Sequence, residues 1–151
     1  MLPRPVPAIA AELREALHTA DIRQLRALFH PQVHWASTGP GDPARYGRAA
    51  ALTWYQVRYD LGVRTQTQET LSLPAAIILA LHITDPTTPD TTPTLYYRVF
   101  HLRGGQITHI RDHTDRAHAL EAATRTLPTA IPRSTNPQAT TAQLPDPDPT
   151  R

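Results

Sequence analysis

The chain has 151 residues and a formal net charge of +2, enough for one domain with a real core. It contains no Cys and no Lys, so all 15 Lys-or-Arg positions are Arg; disulfides, thiolate catalysis, lysine Schiff bases and cysteine metal sites are excluded. The arginines fall singly rather than in a basic run suited to nucleic acid, and no stretch approaches the roughly 20 apolar residues of a membrane span.

Residues 1–7, Met-Leu-Pro-Arg-Pro-Val-Pro, form a proline-broken extension without the apolar run and cleavage site of a signal peptide, so a cytoplasmic protein is expected. Ile9, Leu13 and Leu17 recur every four residues and predict a helix over 8–19. Asp21, with Gln24 in capping-box position, opens a second helix carrying Ile22, Leu25, Leu28 and Phe29, which Pro31 stops. Residues 32–38 alternate, with Val33, Trp35 and Ser37 on one face, and predict a strand; 39–43 is a Gly/Pro loop. A third helix is predicted over 47–61, with Ala50, Trp54, Val57 and Leu61 on one face, Tyr55 and Tyr59 one turn apart and packed against the sheet, and Gly62 as terminator.

Two strands follow, over 63–72 with Val63, Thr65, Thr67, Glu69 and Leu71 in phase, and over 74–84, more apolar and more buried. After a Pro/Thr/Asp loop over 85–93, residues 94–103 and 106–114 predict a hairpin around Gly104-Gly105. Asp115 then caps a last helix to about residue 123. From 126 the chain is Pro, Thr, Asp, Ser and Gln, a composition expected to be disordered, so the domain is expected over 8–125. The element order is that of an α+β protein.

The hairpin carries the chemistry. A type I turn with Gly105 left-handed and a G1 bulge would set Tyr96 opposite Asp112 and Arg98 opposite Ile110. Alternation then puts Tyr96, Arg98, Phe100, Ile110, Asp112 and Thr114 on one face. A carboxylate among apolar neighbours has its charged form disfavoured, which suits a general base, whereas a facing guanidinium keeps it ionised. One reading makes Asp112 a base, with Arg98 and Tyr96 steadying an enolate oxygen. The other makes Arg98 and Asp112 a cross-strand ion pair that holds the hairpin.

The string Gly105-Gln-Ile-Thr-His-Ile-Arg-Asp-His-Thr-Asp115 resembles the closing hairpin of the SnoaL-like, nuclear transport factor 2-like superfamily. Its nearest likeness is Gly-Lys-Ile-Thr-x-Trp-Arg-Asp-Tyr-Phe-Asp of limonene-epoxide hydrolases. Ala20-Asp21-Ile22, Val33-His34-Trp35, Tyr46-Gly47-Arg48 and Arg116-Ala-His-Ala-Leu120 extend the resemblance over about residues 9–123. It implies a cone-shaped, curved antiparallel sheet wrapped over the N-terminal helices, with the hairpin face looking into a pocket. The working acid of several such enzymes falls on Asp112. Trp35, Ser37, Trp54, Phe100, Ile110 and Thr114 become candidate substrate contacts.

Enzyme types on this fold place different demands on the chain. The epoxide hydrolases orient a water with Tyr, Asn and Asp, where this chain has Trp35, Ser37 and Asp112; their Arg-x-Asp partner strand is replaced by the apolar run 73–81. Ketosteroid isomerases need an Asp and a Tyr where Ser37 and Leu13 stand. SnoaL-type polyketide cyclases resemble an apolar pocket with one acidic base, which Asp112 supplies. The expectation is a cofactor-free cyclase or isomerase acting on a small apolar, polyketide- or terpenoid-like molecule. The alternatives are a non-catalytic binding or dimerisation module and, less well matched, an epoxide hydrolase. A homodimer is expected through the outer sheet face carrying His101 and His109. No metal is expected: His109 and His113, four apart on a strand, are separated by about 13 Å.

Overall fold

A computed structural model describes residues 4–36, 43–87 and 94–125, which leaves Ser37 and the tail from 126 outside the described residues. Helix α1 (Val6–Thr19) starts two residues earlier than the apolar spacing predicts. Pro5 takes the extended N-cap conformation, and Pro7 sits in the first turn, where its missing N–H is no loss. Ile9, Leu13 and Leu17 are buried, and left-handed Ala20 closes the helix. Asp21 caps α2 (Ile22–Leu28), accepting from the Gln24 N–H at 3.1 Å. The Gln24 side chain donates to Glu12 instead of returning to Asp21, so this half of the capping box ties α2 to α1.

Six strands form one curved sheet in the order β2-β1-β6-β5-β4-β3. They are β1 (Phe29–Trp35), β2 (Arg45–Tyr46), β3 (Arg64–Leu73), β4 (Ala76–Thr84), β5 (Thr94–Arg103) and β6 (Gln106–His113). Strand β1 begins before Pro31 because residues ahead of a proline are pushed toward extended backbone. The β1–β6 pair is parallel and the other pairs antiparallel, a mixed sheet rather than the antiparallel one expected. The two-residue β2, too short to show any periodicity, was not foreseen.

On the inner face, Ile77, Leu79, Leu81, Phe100 and Ile110 pack with Trp35 against α1, α2 and α3 (Arg48–Asp60). On the outer face, Ala76, Ile78 and Val99 meet Ala119 and Ala123 of α4 (Arg116–Thr124). Strand β4 is therefore covered on both sides, which explains its unbroken apolar run. In β3 the register slips between Thr67 and Glu69. Thr65 and Thr67 pair with inner-facing Ile83 and Leu81, whereas Leu71 pairs with outer-facing Ile78. One extra residue thus breaks the single phase expected along this strand.

Helix α3 buries Ala51, Leu52, Tyr55 and Tyr59: the two tyrosines pack inward as expected, whereas the stripe of Ala50, Trp54, Val57 and Leu61 is not the buried face. Val57 and Leu61 are half exposed. The two tyrosine rings stack on each other, centroids 5.8 Å apart, inside the core.

Candidate functional site

The hairpin turn is tighter than expected. Gly104 and Gly105 both have positive φ, 60° and 81°, the signature of a type I′ turn, and Arg103 pairs with Gln106. The bulge sits two residues further on, where Leu102 faces Ile107 but His101 faces His109. That slip sets Arg98 directly opposite Asp112 and Phe100 opposite Ile110. The predicted pairings of Tyr96 with Asp112 and Arg98 with Ile110 are corrected accordingly. Tyr96, Arg98, Phe100, Ile110 and Asp112 still share the inner face, because the true register differs from the expected one by an even number of residues, whereas Thr114 lies past the end of β6.

Arg98 and Asp112 form a bidentate pair. Nε donates to Oδ1 at 2.6 Å and Nη2 to Oδ2 at 2.9 Å. The third arm, Nη1, donates to the Tyr55 hydroxyl at 3.1 Å. The guanidinium is 2% exposed and lies 4.8 Å from the Trp35 ring centroid, with Trp54 at 5.7 Å. Burial opposes this charge, but Asp112 and the Tyr55 hydroxyl outweigh it and hold Arg98 protonated above its usual range. Burial likewise pushes the Tyr55 hydroxyl up, only partly relieved by Arg98.

Three arginines meet the two indoles. Arg45, from β2, stacks on both Trp35 and Trp54, and Arg58 stacks on Trp54. Sequence reasoning missed Arg45, Arg58 and the third partner Tyr55. The spacing of Trp54, Tyr55 and Arg58 on one helix was a signal; nothing local announced Arg45.

The candidate residues fall into two groups. Trp35, Phe100 and Ile110 are core side chains at 1%, 0% and 1% exposure, and Trp54 is packed beside them. Tyr96, Asp112 and Thr114 line a cavity of about 440 Å³ between the end of β6 and α4. Its other walls include Arg111 and His113 from β6, His118 and Glu121 from α4, and Arg125, which caps that helix. The Asp112 side chain keeps 15% of its surface exposed. Arg98 stands behind Asp112, away from solvent. Ser37 lies outside the described residues.

On the outer face His101 and His109 sit directly across from one another, ring centroids 6.5 Å apart. His34 meets His109 edge-on, and Tyr46 stacks on His34. Among the described residues, no group of three or more metal-ligating side chains converges, and no helix is long and apolar enough to cross a membrane.

A SnoaL-like domain model matches residues 10–110. The chain belongs to the SnoaL-like family. The matched span stops two residues before Asp112, so the acid and α4 are read from this SnoaL-like chain's own geometry. Among curated proteins no sequence match was found. The fold is similar to a candidate polyketide cyclase from Sinorhizobium meliloti, 17% identical, with a TM-score of 0.59 over 71% of this chain and 94% of that one. It is also similar to a cystatin-like-fold protein of unknown function from Xanthomonas campestris, 14% identical, TM-score 0.65, over 80% and 98%. A candidate ketosteroid isomerase from Kribbella flavida is 15% identical, TM-score 0.59, over 84% and 90%. At these identities the likeness concerns the nuclear transport factor 2-like, cystatin-like fold.

Proposed function

We propose that this SnoaL-like protein binds a compact small molecule in the cavity beside Tyr96, Asp112 and Thr114 and moves a proton there without a cofactor. The reaction is a cyclisation or isomerisation with Asp112 as base. One observation carries this reading: Asp112 is anchored by a buried guanidinium through both oxygens, yet it lines a cavity. An ionised carboxylate has about four lone-pair sites. Arg98 takes one on each oxygen, so each oxygen keeps a site for a substrate proton. The anchored carboxylate has little freedom to lose when it meets a substrate.

A carbon-bound proton is acidic enough for such a base only beside carbonyl groups. Its removal puts charge on a carbonyl oxygen, and Tyr96 at the same cavity is the donor for that oxygen. The proton taken by Asp112 returns to another atom of the product, which leaves the Arg98 pair restored. Names borne by fold neighbours, polyketide cyclase and ketosteroid isomerase, belong to the same reaction class. The apolar part of the substrate is polyketide- or terpenoid-like under this reading.

The same bidentate pair favours a second reading. Each Asp112 oxygen already accepts one charge-assisted bond from Arg98, and under this reading the pair serves as a hairpin clamp and the cavity binds without chemistry. Proton exchange decides between them. The α-protons of 2-tetralone are followed by NMR in deuterated buffer with the wild type and Asp112→Asn. Catalysed exchange that disappears in the variant, with an unchanged circular dichroism spectrum, supports the base. Exchange that survives in Asp112→Asn removes Asp112 from the role, and a probe that binds without exchanging favours the clamp.

A further inference from the structure

The cavity between β6 and α4 has an uneven charge. Arg111 and Arg125 both line it, one from strand β6 and one from the residue that caps the C-terminus of α4. Neither guanidinium has a hydrogen-bonding or ion-pair partner among the described residues. The carboxylates at the same cavity do not balance them. Asp112 is committed to Arg98 through both oxygens. Glu121 is the one remaining acid in the wall. His113 lines the cavity as well, and its Nε2, shut away from solvent, has no hydrogen-bond partner among the described residues. Burial and the neighbouring Arg111 hold this imidazole below its ordinary range, so near neutral pH it is an uncharged hydrogen-bonding group.

We infer that this cavity takes a ligand with an anionic end, a small organic acid whose oxyanion is bound by Arg111 and Arg125. The inference rests on the reading of the cavity as the ligand site and adds the substrate class: a carbon acid that carries a carboxylate. Its volume falls at the small end of ligand pockets, room for one or two rings and no more. Guanidinium forks suit a carboxylate's two oxygens, and two of them at the rim of a partly enclosed site hold it far better than one. Tyr96 and Thr114 then face the uncharged body of the ligand, beside Asp112.

Two matched probes test this. 2-Naphthoate and 2-naphthamide have the same ring and nearly the same shape, and they differ in charge. Calorimetric titration of the full chain is expected to give naphthoate at least tenfold tighter binding, weakening as salt rises. Arg111→Gln combined with Arg125→Gln should erase that preference, and Glu121→Gln should enlarge it. Equal affinity for the two probes, or a preference that persists in the double variant, overturns the charge inference while the cavity reading stands. If neither probe binds, the cavity reading fails and the inference fails with it.

Discussion

Replacing Arg98 by Met would leave the Asp112 carboxylate against a wall built for a cation. The aliphatic part of the arginine is matched, but the charge, both bidentate bonds and the bond to Tyr55 disappear. Breaking a buried pair from one side costs about 3–5 kcal/mol, whereas replacing both members by apolar residues is often close to neutral. Arg98→Met should therefore lower unfolding free energy by about that amount, and adding Asp112→Leu should recover most of it. Urea denaturation of the single and double variants checks this; a double variant as unstable as the single one would mean that the pair is worth more than its charges. Period-two alternation was enough to place both residues on one face. It did not say that they were opposite each other, because that depends on where one extra residue is inserted.

That residue belongs to the hairpin as an element. Ile107 and Ile110 are three apart in one strand, and both are buried against the inner cluster. Regular alternation would have turned one of them outward, so the spacing itself marks a bulge near Thr108. The two glycines drew attention to the turn and hid this second signal. Their left-handed φ values make a prediction: Gly105→Ala meets no atom within 4 Å, so its cost is conformational, about 1–2 kcal/mol. Gly105→Asn should lose less, since Asn enters the left-handed region more readily. Thermal melts of the two variants separate these outcomes, and equal losses would point to a steric cause instead. Elsewhere, legibility followed length. The apolar stripe of α1 and the caps of α2 and α4 rest on local rules and could be read. The burial face of α3 could be read only in part, because its stripe of Ala, Trp, Val and Leu competed with Tyr55 and Tyr59, and tertiary packing chose the tyrosines.

Across the whole molecule, the sheet keeps acid–base groups on both sides, and the outer side controls behaviour in acid. His34, His109 and His101 cross β1, β6 and β5 in one row. All three imidazoles are held below their usual range, and burial is the main cause. His109 is pushed down to about 4, with His34, His101 and Arg103 adding like charge around it. Its Nδ1 also lies 3.1 Å from the Thr108 hydroxyl, at the bulge that sets the Arg98–Asp112 register. A histidine with a depressed folded pKa is neutral in the native chain while the unfolded chain already binds a proton. Its stabilising contribution is thus complete above the unfolded value near 6.5 and is lost as pH falls from there toward 4. Melting temperature should be flat from pH 8 to 7 and then fall steadily to pH 4. His109→Gln keeps a hydrogen-bonding side chain without the titration, so its melting temperature should fall less over the same interval. An identical fall in wild type and variant would assign the acid sensitivity to other groups. A shallower fall would tie the stability of the outer face to the strand that also carries Asp112, because protonating this row strains the β1–β6–β5 pairing on which the inner-face pair depends.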